Sequence, residues 1–419
     1  LQGIMFHGSA VSLYQNIQIM SKKLIVIFRG FSGLGVLEPN GEWKNYGSPA
    51  YYNFIRRLDE RGDIDYCIFL LQSDISDVNK IRKFNLKNLS CEVINIPYHS
   101  LYFRETFKVV KKIEFFYNKL IQYIQVIRLT KYNHNYYIDR DNILLSNLLL
   151  ILNRKSKVVV RLLGVTKSLY RHLTVRNSIY SRFIKWGFEN SRSNFICTND
   201  GSYAELISKK FNPLNFYLFF NGVDKTMRQL PLLSLSKKKR IVYLSRVTEN
   251  KGHADFINAI YKSRSSPFLE VIIIGDGSFL KDLKELVFNL RLGNCISFTG
   301  RLSHSNAMNE LKKAHLLMSL NYDGLFGNGV IEAAQMGIPI ITLAHPGCVT
   351  DKLSYFKVLP RKDVINSAAD AINEFCTKKS TRISMSQNSR YFSDKNLVSW
   401  NDRIDDEIKI LSSIYNLKN

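Results

Sequence analysis

Two cationic side chains follow a short apolar strand in the second half of the chain, at positions that suit phosphate chemistry. The strand is predicted at 240–244, and Arg246 and Lys251 come soon after it. Arginine offers a planar fork of donors and lysine a mobile point charge, so the pair is suited to a pyrophosphate. Ligands of open α/β sheets bind beyond the carboxyl ends of the strands, where these two residues would lie. For either residue alone, the alternative is a solvated loop cation.

A glycine-rich loop, Phe326–Gly329, leads into a predicted helix that carries Glu332. The first N–H groups of a helix have no partner within it, so this end could face an anion or hydroxyls. Glu332 would accept hydrogen bonds from vicinal sugar hydroxyls, or it would only complement the helix dipole. A molecule that combines a pyrophosphate, a ribose diol and a hexose is a nucleotide sugar.

Two further turns in the same region also follow apolar strands. One is Gly275-Asp276-Gly277 and the other is Gly300-Arg301-Leu302. The two glycines of the first turn are interpreted either as ligand contacts or as turn residues that permit a positive φ. Four strand-to-helix turns between residues 239 and 342 thus carry groups that could hold a nucleotide-activated sugar.

The elements that must position these turns are short apolar strands alternating with amphipathic helices. This alternation predicts an α/β fold with mostly parallel sheets. Strands before the turns are predicted at 24–28, 66–71, 92–96, 136–138, 158–162, 195–197 and 216–220. Helices are predicted at 49–61, 101–129, 167–189 and, by apolar residues at helical spacing, 397–415. A chain of 419 residues exceeds what one core usually supports, so two domains are expected.

The order of these motifs resembles the donor domain of the GT-B glycosyltransferases, in particular the retaining group known as glycosyltransferase family four. The resemblance covers about residues 221–350 and includes Asn221-Gly222-Val223-Asp224, a tetrapeptide common at the domain junction of that family. It implies two Rossmann-like domains with mostly parallel sheets that face each other across a cleft.

The resemblance also implies domain boundaries. The acceptor domain would comprise residues 20–225 and, through a returning terminal helix, 397–419; the donor domain would comprise 226–396. Met20 begins a run that enters the first strand directly. Residues 1–19 are therefore interpreted as an N-terminal extension, native or not.

The family's functional residues carry over to named positions of this chain. Arg246 and Lys251 would neutralise the donor diphosphate, and Glu332 would hold the ribose hydroxyls. The main chain around Arg301 and Leu302 would contact the base. Other donor contacts are expected at Gly47, Gly275, Asp323, Phe326, Gly327 and Asn328. A nucleoside diphosphate sugar is expected as the donor substrate, with no cofactor and no metal.

Two positions depart from the family pattern. Gly324 stands where the family has a second glutamate, eight residues before Glu332. Asp323 could substitute for it, or the sugar-binding role is lost or reassigned. Ser245 replaces the glycine usual before the arginine. The missing glutamate motivates one alternative function, an inactive GT-B protein that scaffolds or regulates a partner.

The first domain carries fewer chemical signals. Gly47 precedes a predicted helix, where the family often has a glycine turn against the donor phosphate. Arg161 lies near the end of the strand predicted at 158–162, in a segment where the family often has a histidine, and it is either a ligand contact or a structural residue. Asp139 and Asp141 end another strand. Such carboxylates are more often helix caps than groups that face a cleft.

A net charge of +24 is the strongest feature of the composition and indicates an anionic partner or surface. Segments 101–131 and 167–186 interleave basic and aromatic residues, as helices on anionic membranes do. The alternative for each helix is that it buries its aromatic residues in the core. A basic nucleic-acid or anion-binding protein is a further alternative, but no zinc-finger or RNA-binding motif is found, so no specific nucleic acid is expected.

The six cysteines are scattered without metal-ligand spacing and indicate reduced thiols. No apolar run reaches the length of a membrane span. With the basic surface, these features predict a cytoplasmic protein that is peripheral at the inner face of the membrane. The resemblance implies a glycosyltransferase that would move a hexose to a glycan or lipid-linked acceptor with retention of configuration. The synthesis of a bacterial surface polysaccharide, such as lipopolysaccharide or capsule, would suit such an enzyme.

Overall fold

The structure is a computed structural model, and it describes most of the chain from residue 135 onward. The described residues are 23–28, 36–37, 43–44, 49–61, 66–74, 83–85, 90–98, 120, 123–124, 127, 135–155, 157–211, 215–224, 238–348 and 354–415. For the strands before residue 99, and for Pro49 and Asp141, the description is limited to the backbone.

Eight strands form the first sheet. They are β1 (Lys23–Phe28), β4 (Tyr66–Asp74), β5 (Lys83–Asn85), β6 (Ser90–Tyr98), β7 (Asn135–Asp139), β8 (Lys157–Leu162), β9 (Ser193–Thr198) and β10 (Phe216–Phe219). A separate hairpin pairs β2 (Val36–Leu37) with β3 (Trp43–Lys44). The spatial order is β10-β9-β8-β7-β1-β4-β6-β5, and every pair is parallel except β5 with β6.

Helices of the first domain are α1 (Pro49–Arg61), α2 (Ile143–Leu152), α3 (Lys167–Thr174), α4 (Ile179–Glu189) and α5 (Ala204–Lys210). The single helix predicted at 167–189 is wrong, because α3 and α4 are separate. Ser178 caps α4 by accepting a hydrogen bond from the N–H of Ser181, and this cap starts a new helix.

The second domain is built on a six-stranded sheet that is parallel throughout. Its strands are β11 (Lys239–Leu244), β12 (Leu269–Ile274), β13 (Ile296–Gly300), β14 (Leu316–Ser319), β15 (Ile340–Leu343) and β16 (Lys357–Leu359), in the order β13-β12-β11-β14-β15-β16. Its helices are α6 (His253–Lys262), α7 (Leu280–Asn289), α8 (His304–Lys312), α9 (Asn328–Gln335), α10 (Val364–Thr377) and α11 (Lys379–Asn396). Ile241, Val242 and Tyr243 of β11 are all buried, as expected of a strand covered by helices on both faces.

The last helix, α12 (Trp400–Tyr415), packs on the first domain against α1 and β8. Asp405 forms ion pairs with Arg57 at 2.7 Å and with Arg61 at 3.0 Å. The hydroxyl of Tyr415 donates to the carbonyl of Tyr136 at 2.6 Å. The chain therefore passes between the domains twice, and the two crossings are joined by a hydrogen bond of 3.0 Å from the Val223 N–H to the Val398 carbonyl.

A buried charged cluster lies beneath α12. Glu407 Oε1 is 3.4 Å from Arg161 Nε, Glu407 Oε2 is 2.7 Å from Arg403 Nη1, and the Tyr137 hydroxyl donates to the same carboxylate. Arg161 is 1% exposed and also donates to the Thr198 hydroxyl at 3.0 Å. Of the two interpretations of Arg161, the structure supports the structural one.

The predicted α/β fold with two mostly parallel sheets is confirmed, and each strand predicted in the first half of the chain is present. Residues 1–22, Gly47 and most of segment 101–131 lie outside the described residues. No helix among the residues that the structure describes is long and apolar enough to cross a membrane.

Candidate active site

A cavity of about 900 Å³ opens at the carboxyl ends of the second sheet and is bordered on one side by the first domain. It brings together the described residues that the sequence singles out as donor contacts. These are Arg246, Lys251, Gly275, Arg301, Leu302, Asp323, Phe326, Gly327, Asn328 and Glu332. The first domain contributes Leu163, Thr198, Asp200 and Asn221 to the opposite wall.

Arg246 lies in a loop that is braced against the turn after β12. The Ser245 N–H donates to the Ile274 carbonyl at 3.1 Å, and the Val247 N–H donates to the Asp276 carbonyl at 2.9 Å. Gly275 has a φ of +141°, and a Cβ built on it would lie 1.8 Å from the Ser245 carbonyl oxygen. Gly275 is therefore needed for the close approach of the two loops, which favours its interpretation as a turn glycine. The Arg246 side chain is exposed and forms no ion pair with a described residue.

Lys251 is paired with carboxylate and amide groups rather than free. Its Nζ lies 2.8 Å from Asp323 Oδ2 and donates to Asn321 Oδ1 at 3.0 Å. The Asn250 amide donates to the same Asp323 carboxylate. Burial alone would raise the pKa of Asp323, but the hydrogen bond and charge of Lys251 outweigh it and leave the pKa below its ordinary value. Asp323, a candidate replacement for the missing glutamate, thus positions Lys251 in this structure.

Glu332 lies on the first turns of α9, at the far end of the same cavity. Its Oε1 is 2.9 Å from Nε2 of His304, the first residue of α8. This hydrogen bond, opposed by partial burial, raises the pKa of His304. The carboxylate is 19% exposed, so it is open to a ligand at one edge.

The loop before α9 has one residue buried in the core, Phe326, and two at the cavity, Gly327 and Asn328. Phe326 is 3% exposed, its ring stacks on Phe392 at 5.6 Å, and its N–H donates to the Asp200 carbonyl at 2.8 Å. The expected contact of Phe326 with a ligand is therefore not available to its ring or its N–H. Gly327 is the N-cap of α9, and Asn328 begins the helix while its Oδ1 accepts from the Asn221 amide at 2.7 Å. The positive end of α9 faces the cavity there.

Sequence reasoning missed five polar residues that line the cavity: Thr198, Asp200, His304, Ser319 and Asn321. Asp200 follows β9 in an Asn-Asp-Gly turn, which is a readable signal for a loop at a strand's carboxyl end. Burial raises the pKa of Asp200 to about 6, against the hydrogen bonds that its carboxylate accepts from Ser202.

Asp139, which the sequence offers as a cap or a cleft residue, does not line the cavity. It is 6% exposed and accepts a hydrogen bond from Asn142 Nδ2 at 2.8 Å. This hydrogen bond is local, within the turn that leads into α2. The side chain of Asp141 lies outside the described part of the chain.

Among the described residues, the cysteines and the other potential metal ligands do not form a metal site. Cys197 and Cys348 are buried thiols, and Cys295 and Cys376 are partly buried. No three or more His, Cys, Asp or Glu side chains among the described residues are grouped so that they could hold a metal ion.

Comparisons with known proteins agree with this geometry. Residues 229–392 match the family model of the glycosyl transferases group 1. Over 157 residues the chain is 28% identical to the 2-deoxystreptamine N-acetyl-D-glucosaminyltransferase of Niallia circulans; the alignment covers 36% of this chain and 40% of that enzyme. The chain thus spans about two fifths of the length of this curated relative.

Two solved structures cover nearly the whole chain. The sucrose-phosphate synthase of Thermosynechococcus elongatus has a TM-score of 0.66 at 14% identity. The superposition includes 95% of this chain and 100% of the synthase chain. Anabaena HepE, in complex with UDP and glucose, has a TM-score of 0.62 at 15% identity, with 94% and 100% covered. These likenesses show that the fold is GT-B. The match to the group 1 glycosyl transferases falls on the part of the chain that forms the second domain.

Proposed function

We propose that this protein is a glycosyltransferase that uses a nucleoside diphosphate sugar as donor. The observation that carries the proposal is the set of groups around one cavity: Arg246, Lys251, the positive end of α9 and the Glu332 carboxylate. Two cations and a helix end suit a diphosphate, and a carboxylate suits the ribose diol beyond it. The match of residues 229–392 to the group 1 glycosyltransferases supports the same assignment.

The chemistry follows from where charge develops. When the bond between the sugar and the diphosphate breaks, the leaving phosphate gains negative charge. Arg246, Lys251 and the α9 end are placed to stabilise that charge. We propose that a hexose is transferred with retention, the acceptor hydroxyl attacking the face that the diphosphate leaves and passing its proton to the departing phosphate. The acceptor would be a glycan or a lipid-linked saccharide of a bacterial surface polysaccharide.

A nucleotide screen tests the donor assignment. The purified protein would be heated with uridine, guanosine, adenosine and cytidine diphosphates, the uridine compound first because the Anabaena structure contains UDP. A ligand at a hundredfold excess over its Kd stabilises the folded protein by about 2.7 kcal/mol. One diphosphate that raises Tm, but not in Arg246→Ala, is the expected result. Binding to nucleic acid or vesicles without any nucleotide effect would instead favour a scaffold or an anion-binding protein.

Glu332→Gln should weaken binding of the nucleoside diphosphate by about tenfold or more, because a hydrogen bond to a charged group contributes roughly 1.5–3 kcal/mol. Calorimetry with UDP and with 2′-deoxy-UDP would show whether Glu332 contacts the ribose 2′-hydroxyl. The wild-type protein should discriminate between the two ligands, and the variant should not. Glu285→Gln, an exposed change on α7, serves as control. Equal discrimination by the wild type and Glu332→Gln would contradict the ribose role.

We also propose that the enzyme works at an anionic membrane on the cytoplasmic side, and that it docks through the outer surface of α3 and α4. This surface, here called the α3–α4 face, consists of Arg171, Val175, Arg176, Ile179, Tyr180, Arg182 and Trp186. Ile179 is 87% exposed, Val175 68% and Trp186 37%. On α4, Ile179, Arg182 and Trp186 have the spacing of one helix face, while Ile184 and Phe188 are buried on the opposite side. Exposed apolar side chains beside arginines suit an anionic bilayer.

Replacing two arginines of the α3–α4 face should release the protein from anionic vesicles. Each basic residue near such a surface contributes ~1 kcal/mol, so Arg176→Gln with Arg182→Gln should weaken the partition coefficient about thirtyfold. Co-sedimentation with phosphatidylglycerol-containing vesicles measures the bound fraction. Lys281→Gln with Lys284→Gln, both exposed on α7, removes the same charge from the second domain. Equal losses in the two pairs would show that net charge, not this face, directs binding.

A further inference from the structure

Asp200 lies at the edge of the first domain where the second domain touches it. Its carboxylate accepts hydrogen bonds from the Ser202 hydroxyl and, at 3.1 Å, from the Ser202 N–H. A Cβ on Gly164 would lie 2.0 Å from Asp200 Oδ2, so the carboxylate occupies space that a glycine leaves open. The side chain is therefore held in one position in the cavity wall rather than free in a solvated loop.

The main chain of Asp200 is joined to the second domain. The Phe326 N–H donates to the Asp200 carbonyl at 2.8 Å, and the Leu325 N–H lies 3.4 Å from the Gly201 carbonyl. A Cβ on Gly324 would lie 2.7 Å from the Asp200 carbonyl oxygen. A side chain at position 324 would thus obstruct this contact. Gly324 stands where the family has a glutamate, and its lack of a side chain allows the Asp200 carbonyl to approach from the first domain.

The cavity has four carboxylates among its described lining residues, and they differ in their partners. Asp323 is paired with Lys251, Glu332 with His304, and Asp276 accepts from the Gly277 N–H at 2.7 Å. Asp200 is the carboxylate that the first domain supplies, and its Oδ2 forms no hydrogen bond with a described residue. Asp200 lines the same cavity as Arg246 and Lys251, from the side of the first domain.

We propose that Asp200 is a substrate-contacting residue of the transfer site, whose carboxylate accepts a hydrogen bond from a sugar hydroxyl. The hydroxyl belongs either to the sugar being transferred or to the acceptor, and the two are distinguished below. The inference rests on the proposed glycosyltransferase function. It also implies that the site is complete while the 200–201 and 325–326 loops are in contact, so docking of the domains and completion of the site are one event.

The electrostatics of Asp200 give the proposal a pH signature. Burial, opposed by the Ser202 hydrogen bonds and by the charge of Lys251, places its pKa at about 6. Among the described residues, the buried Cys197 thiol also interacts with the Asp200 charge, and its pKa is raised to about 12, chiefly by burial and then by that charge. An ionised Asp200 is the acceptor, so turnover should fall as the pH is lowered through about 6.

Ionisation of Asp200 should lower the stability of the folded protein, although it supports turnover. The folded-state pKa of about 6 lies above the ordinary value of 3.8, so the free energy of unfolding falls as the pH rises between these two values, and the loss is complete above about pH 6. Asp200→Asn should therefore raise Tm at pH 8 and leave it nearly unchanged at pH 4, while lowering turnover. A residue with a merely structural role would not lose activity while gaining stability.

The experiment compares wild type, Asp200→Asn and the matched control Asp282→Asn, an exposed change on α7. The probes are UDP and UDP-glucose, measured by calorimetry, and UDP-glucose hydrolysis, with water as the acceptor, followed from pH 5 to 9. We expect unchanged UDP affinity in Asp200→Asn, a hydrolysis rate lower by about 100-fold, and loss of the acidic limb near pH 6. Lower affinity for UDP-glucose but not for UDP assigns the hydroxyl to the donor sugar. Unchanged affinity for both ligands with slower hydrolysis assigns it to the attacking hydroxyl of the acceptor, whose place water takes in this assay.

Two results would overturn the inference, and they are distinguishable. A wild-type rate and pH profile in Asp200→Asn, with UDP binding intact, would remove Asp200 from the site and leave the proposed function in place. A wild-type protein that neither binds UDP nor hydrolyses UDP-glucose, and that also gives no response in the wider nucleotide screen, would overturn both.

Discussion

Arg246→Ala and Lys251→Ala should each lower the rate of sugar transfer by about 10²–10³-fold, the usual loss when one preorganised donor is removed from developing charge. Arg246 is exposed at the cavity and forms no ion pair with a described residue, so its guanidinium is available to a phosphate. The loop that carries it is held by main-chain hydrogen bonds rather than by its side chain. The substitution should therefore leave the fold intact, and steady-state kinetics would measure its effect.

The two substitutions should differ in their effect on binding. Removing Lys251 leaves the Asp323 carboxylate, now 2.8 Å from the lysine, as an uncompensated anion beside the diphosphate. Lys251→Ala should therefore weaken nucleoside diphosphate affinity more than Arg246→Ala does. Adding Asp323→Ala to Lys251→Ala should restore part of that affinity, because the two side chains act as one unit.

A lysine outside the cavity provides the control. Lys262→Ala removes an exposed cation of the second domain that donates to Asn366 Oδ1 at 3.0 Å, and it should leave turnover unchanged. Near-normal rates in both Arg246→Ala and Lys251→Ala would contradict the assignment of the phosphate site. Equal losses in all three variants would point to net charge instead.

Glu407→Ala should destabilise the first domain by about 3–5 kcal/mol, because it leaves two buried guanidinium groups without their counter-ion. Glu407 and Arg161 are each 1% exposed, and Arg403 is 2% exposed. Arg403 also donates to the Phe220 carbonyl and lies 4.2 Å from the Phe219 ring centroid, so the loss extends to the first crossing of the chain.

The position of the tryptophans makes this measurement specific. Trp43, Trp186 and Trp400 all lie in the first domain or on α12, and the second domain has none. Urea unfolding followed by tryptophan fluorescence therefore reports the free energy of unfolding of the first domain. Glu60→Ala, which removes an exposed carboxylate paired with Arg56 and Arg57, should cost less than about 1 kcal/mol. A similar small loss in Glu407→Ala would mean that the cluster does not hold α12.

Glu407 also gives a pH dependence with a defined sign. Burial would raise its pKa, but the charges of Arg161 and Arg403 outweigh burial and lower the pKa below its ordinary value. The stabilising effect is therefore fully present above the ordinary glutamate pKa and is lost as the pH falls through the lower folded-state value.

The sequence predicted the sheets and most of the cavity because both depend on local patterns. Apolar runs that end in Gly, Arg or Lys mark strand ends, and strand ends of parallel sheets meet at one edge. What it could not predict were partners distant in the chain. Asp323 is predicted as a candidate sugar ligand, and its ion pair with Lys251, 72 residues away, is not readable from the sequence. Arg161 is predicted as either a ligand contact or a structural residue, and only its ion pair with Glu407 decides between the two. The burial of the Phe326 ring is also not readable from the sequence, because it stacks on the distant Phe392.

The return of α12 to the first domain has a consequence for the order in which the protein assembles during synthesis. Residues 238–396 supply all the strands and helices of the second domain and are translated before α12. The buried carboxylate that neutralises Arg161 arrives with residue 407. The domain that is synthesised first is therefore the one that finishes folding last, and a ribosome that stops before residue 400 would release a completed second domain attached to a first domain with an unpaired internal charge.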